Sequence, residues 1–467
     1  MKQMKKGIGI VLLCLVISIL AADIVWPAFH RKTDSAYEEM IRSTEFESES
    51  AGSERIRCID DNEEALLWRL RMIGSAKESI VLATFDLRAD ESGTDIMAAI
   101  YAAAERGVDV KILVDGIYKP IYLDRSDTFH AICAHENIEV RFYNPLSLTN
   151  IYGVNYRMHD KYLIIDDQMY MLGGRNTNDI FLGNYQKGIN IDRDILVYET
   201  EPGKGESLQE LKDYFGQIWE EPCLQEETPK LKETILEQQY EMFQKRYEEL
   251  RRKYEDIGQF AEWKEQTFEV NKITLVSNET GAYRKAPQVL SVIGQLAEES
   301  DEVLIQTPYV ICNFYMYHTL EQIERSSDVK IILNAVEKGS NPWGCTDYLN
   351  NKDKILGTGC DVYELMNEKA VHTKTVLIDD NISIVGSYNL DMRSTYLDTE
   401  LMLVIDSKEL NAHIREMGET YMEKSMEVQS DGTVTKGASY IEKELPDKKK
   451  LFYGVLRVVI RPFRHLL

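Results

Sequence analysis

The sequence predicts an α/β fold made by internal duplication, and three observations carry that prediction. Helix and strand signals alternate along most of the chain. Apolar blocks recur in the same order: Val108-Asp109-Val110-Lys111-Ile112-Leu113-Val114 returns as Ser327-Asp328-Val329-Lys330-Ile331-Ile332-Leu333, and Asn137-Ile138-Glu139-Val140 as Gly359-Cys360-Asp361-Val362. The pattern His-x-Lys-x-x-x-x-Asp also occurs twice, from His159 to Asp166 and from His372 to Asp379. Each histidine stands 17 residues before an asparagine, Asn176 or Asn389.

The elements follow in order. Residues 62–76 carry a helical apolar face, and 80–83 form a buried-strand run. An alanine-rich helix over 95–105 is stopped by Gly107, and strands follow at 110–114 and 138–142. Beyond the motifs, Asp194-Ile195-Leu196-Val197 aligns with Glu400-Leu401-Met402-Leu403. The repeats thus span 57–202 and 269–425. Each is expected to be a mixed, mostly parallel sheet flanked by helices, with a pseudo-two-fold bringing the copies face to face.

The remaining segments differ in character. Residues 203–268 read as a helical insert, in which Leu236, Tyr240, Phe243, Tyr247, Leu250, Tyr254 and Ile257 make one apolar stripe that packs on the domain body. Residues 1–32 read as a membrane anchor. Lys2, Lys5 and Lys6 precede an apolar run over 7–22, and counted through Phe29 the stretch reaches the ~20 residues a bilayer requires. An uncleaved transmembrane helix is favoured over a cleaved signal peptide. The lysines place the N-terminus inside, so a single-pass protein of the cell membrane would carry its catalytic body outward. Residues 33–56 are acidic and polar and read as a linker. The segment 426–467 reads as a linker and a basic tail whose bulky apolar residues suit an anionic bilayer surface.

Composition narrows the function. With 78 acidic residues against 54 basic ones the net charge is −24, which disfavours nucleic acid as a partner. The seven cysteines form no C-x-x-C pair, and no carboxylate or His/Cys cluster has metal-ligand spacing, so neither metal nor cofactor is expected.

The motif residues His159, Lys161, Asp166, His372, Lys374 and Asp379 fit displacement at a phosphodiester. One histidine attacks phosphorus, and the other protonates the leaving oxygen and then deprotonates the incoming hydroxyl. Lys161, Lys374, Asn176 and Asn389 stabilise charge on the pentavalent centre. Asp194 and Glu400 are candidates to fix the histidine tautomers from the far ring nitrogen. Asp166 and Asp379 are expected at strand ends, organising the turns.

These motifs resemble those of the phospholipase D superfamily over about 57–425, and within it bacterial cardiolipin synthases of the C type. Asn155-Tyr156-Arg157-Met158-His159-Asp160-Lys161, Gly173-Gly174-Arg175-Asn176 and Gly386-Ser387-Tyr388-Asn389-Leu390-Asp391-Met392-Arg393-Ser394 carry the resemblance. It implies one active site between two α/β halves, His159 as nucleophile and His372 as acid and base. It also implies phospholipid substrates at a membrane, with phosphatidylglycerol as donor or acceptor. A head-group-hydrolysing phospholipase D and, less favoured, a nuclease of the same superfamily use the same residues. Asn178 and Asp398 depart from the family pattern, where glycine and asparagine are usual.

Overall fold

The computed structural model describes residues 24–147, 153–229, 231–254 and 256–467. A 3-10 turn (Trp26–Ala28) and α1 (Ser35–Ser43) lead into the first half. That half contains β1 (Glu54–Ile59), α2 (Asn62–Ser75), β2 (Ser79–Thr84), α3 (Glu91–Ala104), β3 (Asp109–Asp115), α4 (Asp127–Cys133) and β4 (Ile138–Tyr143). It continues through β5 (Tyr162–Ile165), β6 (Met169–Gly173), β7 (Asp194–Glu199), α5 (Glu206–Trp219), β8 (Leu224–Glu226), α6 (Glu233–Lys253) and β9 (Phe268–Glu269).

The second half repeats the plan. It runs β10 (Lys272–Ser277), α7 (Gln288–Leu296), β11 (Glu302–Gln306), α8 (Phe314–Glu324), β12 (Asp328–Asn334), α9 (Pro342–Leu356) and β13 (Asp361–Leu365). Then come β14 (Thr375–Ile378), β15 (Ile382–Gly386), α10 (Met392–Tyr396), β16 (Leu401–Asp406), α11 (Lys408–Glu423), β17 (Ser425–Val428) and β18 (Val434–Lys436). Helix α12 (Asp447–Val459) and a 3-10 segment (Arg461–Leu466) follow.

The sheets have orders β8-β4-β3-β2-β5-β6-β7-β1-β9 and β10-β16-β15-β14-β11-β12-β13-β17-β18. Read from β4 and β13, both halves give the same succession of strands, which is the duplication in three dimensions. The expectation of mostly parallel sheets is corrected. Only β2-β3-β4 and β11-β12-β13 run parallel, and every other pairing is antiparallel. Parallel neighbours need a crossover helix, which α3, α4, α8 and α9 supply. After each His-Lys motif the chain instead reverses in a tight turn, so β5-β6 and β14-β15 are hairpins. Apolar runs such as 162–165 look alike in either strand direction.

Three apolar cores result. One lies between the first sheet and α2, α3, α4 and α6, and a second between the other sheet and α7, α8 and α9. The third joins the inner faces of both sheets with α5 and α11, through Ile164, Leu172, Ile195, Leu377, Leu403 and Ile405 among others. The halves therefore share a buried apolar interface, and residues at the ends of the inner strands are brought together across it.

Several segments differ from their expected character. Residues 33–56 are more than a linker: Asp34 caps α1 through Tyr37 N (2.8 Å), Ile41 and Phe46 are buried against the second half, and β1 begins at Glu54. In the insert 203–268, α5 is the counterpart of α11 and belongs to the first half. Its last helix, α6, lays Phe243 and Leu250 on the core beside α3, as its stripe requires. In the tail, β17 extends the second sheet.

The expected anchor falls mainly on residues 1–23, outside the described residues. Residues 24–32 pack on the second half, where Arg31 bonds Glu279 (2.6 Å) and the Arg284 guanidinium covers the Trp26 ring (4.3 Å). Among the described residues no helix is long and apolar enough to cross a membrane.

A candidate active site shared by the two halves

Each motif histidine is set by a backbone bridge to the opposite half. Met158 bridges Thr399, and the His159 N–H donates to Thr399 O (3.3 Å). Ile191 bridges Val371, and the His372 N–H donates to Ile191 O (2.6 Å). The carboxylates are exchanged in the same way. His159 Nδ1 lies 2.9 Å from Glu400 Oε1, and His372 Nδ1 lies 2.6 Å from Asp192 Oδ2. Both carboxylates are fully buried, while the histidine side chains keep 12% and 17% exposure.

The lysines lie just beneath. Lys161 Nζ donates to the His159 carbonyl and Lys374 Nζ to the His372 carbonyl, with Lys374 also 3.5 Å from Asp192. His and Lys precede β5 and β14 in extended backbone, so residues two apart share a face. Asn176 accepts from Asp86 N–H (3.3 Å) through Oδ1, whereas Asn389 Oδ1 is buried with no partner within the protein. An unpartnered buried acceptor of this kind is suited to a hydroxyl or a protonated phosphate oxygen.

The electrostatics are unequal in the two pairs. Burial and the positive charges of Lys161 and Lys374 push His159 well below the usual histidine range. Burial and Lys374 lower His372 to about 4, so both rings rest neutral. Burial raises Asp192, but Lys374 and His372 outweigh it and hold it down at about 2. Burial instead pushes Glu400 up to about 8 despite Lys161. Lys161 itself falls to about 7 by burial, against the pull of Glu400. Asp192 is therefore a permanent anion that favours an imidazolium on His372, and Glu400 is a carboxyl that titrates near neutrality.

Asp194 is not a histidine partner. It forms buried ion pairs with Arg69 (2.9 Å) and Arg175 (3.1 Å), tying the first sheet to α2. Gly173 pairs with Asp194 in β6-β7, whereas Gly386 pairs with Met402 in β15-β16. The true equivalent of Glu400 is therefore Asp192, two residues earlier than the sequence alignment placed it. Asp166 and Asp379 do not reach the histidines. Both adopt positive φ (51° and 48°) and accept from backbone N–H groups at the start of β2 (Glu78, 2.9 Å; Ser79, 2.8 Å) and β11 (Asp301, 2.9 Å; Glu302, 3.1 Å). They clamp the hairpin turns, and the catalytic label fits them only through the motif.

Other residues enter from structure alone. Ser387 donates to Glu400 Oε2 and orients that carboxyl. Buried Arg193 spans the halves, reaching Asp60 (2.8 Å), Gln306 (3.2 Å) and Thr375 (3.0 Å). A cavity of about 420 Å³ opens between the halves, lined by Phe85, Tyr118, Arg157, Tyr309, Trp343 and Arg393 among others. The Phe85 ring meets that of His159 edge-on at 5.2 Å, so the cavity borders the reacting centre.

Among the described residues one trio, Cys58, Asp60 and His413, brings possible metal ligands within 4.8 Å of one another. Arg193 already occupies Asp60, and its charge opposes a cation there. The six described cysteines are free thiols.

Comparison with known proteins agrees with this geometry. The family model described as cardiolipin synthase, PLD-like domain matches residues 70–219 and 292–421, one segment in each half. The chain belongs to the cardiolipin synthase family of phospholipase D-like proteins. Membership makes it an enzyme, and at family level a phosphatidyltransferase.

Similar proteins of this family include cardiolipin synthase C of Escherichia coli, 23% identical over 393 residues (74% of this chain, 80% of that protein), and cardiolipin synthase B of Salmonella typhi, 26% identical (74% of each). An uncharacterized Helicobacter pylori protein is 25% identical over 76% of this chain and 77% of its own length. The crystal structure of phosphatidylserine synthase from Haemophilus influenzae has the same fold, with a TM-score of 0.66, 17% identity and coverage of 92% of this chain and 99% of that one.

Proposed function

We propose that this family member is a membrane-bound cardiolipin synthase acting through a phosphatidyl-histidine. The unequal pair of exchanged carboxylates carries this reading. His159 Nε2 attacks phosphorus as the bond to the head-group oxygen breaks, and His372, protonated once the anionic phosphodiester adds its charge to that of Asp192, gives that oxygen a proton. The hydroxyl of a phosphatidylglycerol then attacks phosphorus, losing its proton to His372 as the P–N bond breaks. Lys161, Lys374 and Asn389 hold the phosphoryl oxygens. Substrate and product follow the names of the similar synthases. An N-terminal apolar run over 7–22, behind three lysines, supports a single-pass position with the catalytic halves outside the cell membrane.

The test is mass spectrometry of lipids after purified enzyme meets phosphatidylglycerol, with and without phosphatidylethanolamine. Cardiolipin is expected. Phosphatidic acid alone would make it a hydrolase. The His159→Asn protein should form no covalent lipid adduct, while His372→Asn should form one and release it slowly. An adduct on the His159→Asn protein sinks the assignment of the nucleophile.

A further inference from the structure

Helix α12 has two apolar stripes, and the fold uses only one. Tyr453, Leu456 and Ile460 are buried, and the helix packs along α9. Leu451, Val455 and Val458, with Phe452 and Val459 beside them, recur at helical spacing on the outer side and are 48–74% exposed. Exposed bulky side chains in such a contiguous row mark an interaction surface.

The charge around the stripe indicates its partner. Residues 447–467 hold six lysines and arginines against one aspartate, in a chain whose net charge is −24. Lys448, Lys450 and Arg461 are exposed there. A second copy fits poorly, because a two-fold contact would set these cations against themselves.

The stripe is also joined to both the N-terminal segment and the cavity. His465 Nε2 lies 2.6 Å from Ile24 O, two residues before the exposed Trp26 and five before the exposed Phe29. Arg464 grips Asp347 (2.6 Å) and Cys312 O (2.6 Å). Arg393 donates its N–H to Leu467 O (2.8 Å) and its Nε–H to Leu466 O (3.0 Å), and both Arg393 and Leu467 line the cavity beside Phe85.

We propose that the outer stripe of α12 docks into the head-group layer of an anionic bilayer and, through the strap 461–467, sets the mouth of the catalytic cavity at that surface. Bulky side chains enter the layer while the lysines and arginines meet lipid phosphates. The docking rests on the stripe itself, and its service to catalysis rests on the phosphatidyltransfer reading.

The test uses the full chain carrying His159→Asn, so that docking is read without turnover, and an environment-sensitive fluorophore on Val455→Cys. The same chain without that cysteine gives the background. Phosphatidylcholine vesicles containing phosphatidylglycerol should shift the emission to the blue and allow quenching by brominated acyl chains. Vesicles of phosphatidylcholine alone should do neither. Replacing Lys448, Lys449 and Lys450 by glutamine should weaken the response about fivefold per charge removed.

In the active chain, Leu451→Asp/Val455→Asp/Val458→Asp should cut turnover of vesicle lipid at least about tenfold while sparing a water-soluble short-chain phosphatidylglycerol. The proposal falls if neither vesicle moves the probe, if the probe responds in lipid-free detergent in step with protein concentration, or if both substrates lose turnover equally. Docking without any cardiolipin product overturns the enzymatic reading and leaves the docking standing.

Discussion

Nδ1 of His159 lies 2.9 Å from Oε1 of Glu400, a residue 241 positions further along the chain, and His372 takes its partner, Asp192, from 180 positions back. Neither half holds a complete histidine–carboxylate pair. The two pairs exist only when the two sheets share their inner core.

This exchange separates Asp192 from its near neighbour Asp194. Asp192→Asn should leave the fold intact and lower turnover by about 10²-fold or more, as expected when acid–base assistance is lost. Asp194→Asn should instead lower the melting temperature, because two buried arginines lose their anion at a cost of about 3–5 kcal/mol. Turnover and thermal unfolding, measured on both variants, check the pair. Equal turnover losses at unchanged stability would contradict it.

Glu400 sets a pH dependence. Attack by Nε2 requires the other ring nitrogen to donate its proton to an ionised Glu400, whose folded value is about 8. Turnover should therefore rise with pH towards 8, and Glu400→Gln should lower the rate and remove that rise.

The stability effect of Glu400 has the opposite sign. A folded value raised above the ordinary ~4.3 means that the folded chain holds a proton the unfolded chain has lost, so stability falls between about pH 4 and 8. The glutamine variant should melt higher than the parent at pH 8 and show little difference at pH 4. Melting curves at both values decide this.

Gly174 is constrained by close approach. A Cβ there would stand 2.2 Å from Asp192 Oδ1. Gly174→Ala must displace that carboxylate, and a shift of about 1 Å at a catalytic group costs ~10²-fold in rate. Steady-state kinetics, with circular dichroism to verify folding, measure the effect.

The aspartates closing each motif should behave as structural residues. Asp166→Ala exposes backbone donors at the start of β2 and should cost about 1–3 kcal/mol of stability. Turnover per folded molecule should hold. Denaturant titration beside activity at low temperature separates the two effects, and a lost rate at unchanged stability would return Asp166 to the chemistry.

Much of this was legible in the sequence. The blocks at 108–114 and 327–333 are the equivalent strands β3 and β12 of the two sheets, and the two His-Lys motifs meet in one candidate site. Strand direction was not legible, because the buried runs at 162–165 and 375–378 carry no mark distinguishing a hairpin from a crossover. The register of β7 was missed for a related reason. Side chains alternate with period two, so a slip of two residues leaves every residue on its original face and keeps the apolar pattern intact. The cue that was available is the strand pairing, which sets Gly173 opposite Asp194 and leaves Asp192 beyond the strand end.

The sequence by itself determined the duplication, the two histidines and two lysines, and the phosphodiester chemistry that those groups can perform. These are local patterns, readable because spacing along a strand or loop fixes which side chains share a face. The tertiary structure decided which carboxylate serves which histidine, and that one stays ionised while the other titrates near neutrality. Those properties depend on contacts between distant segments and on how deeply the packed halves bury each charge, which spacing along one chain does not encode.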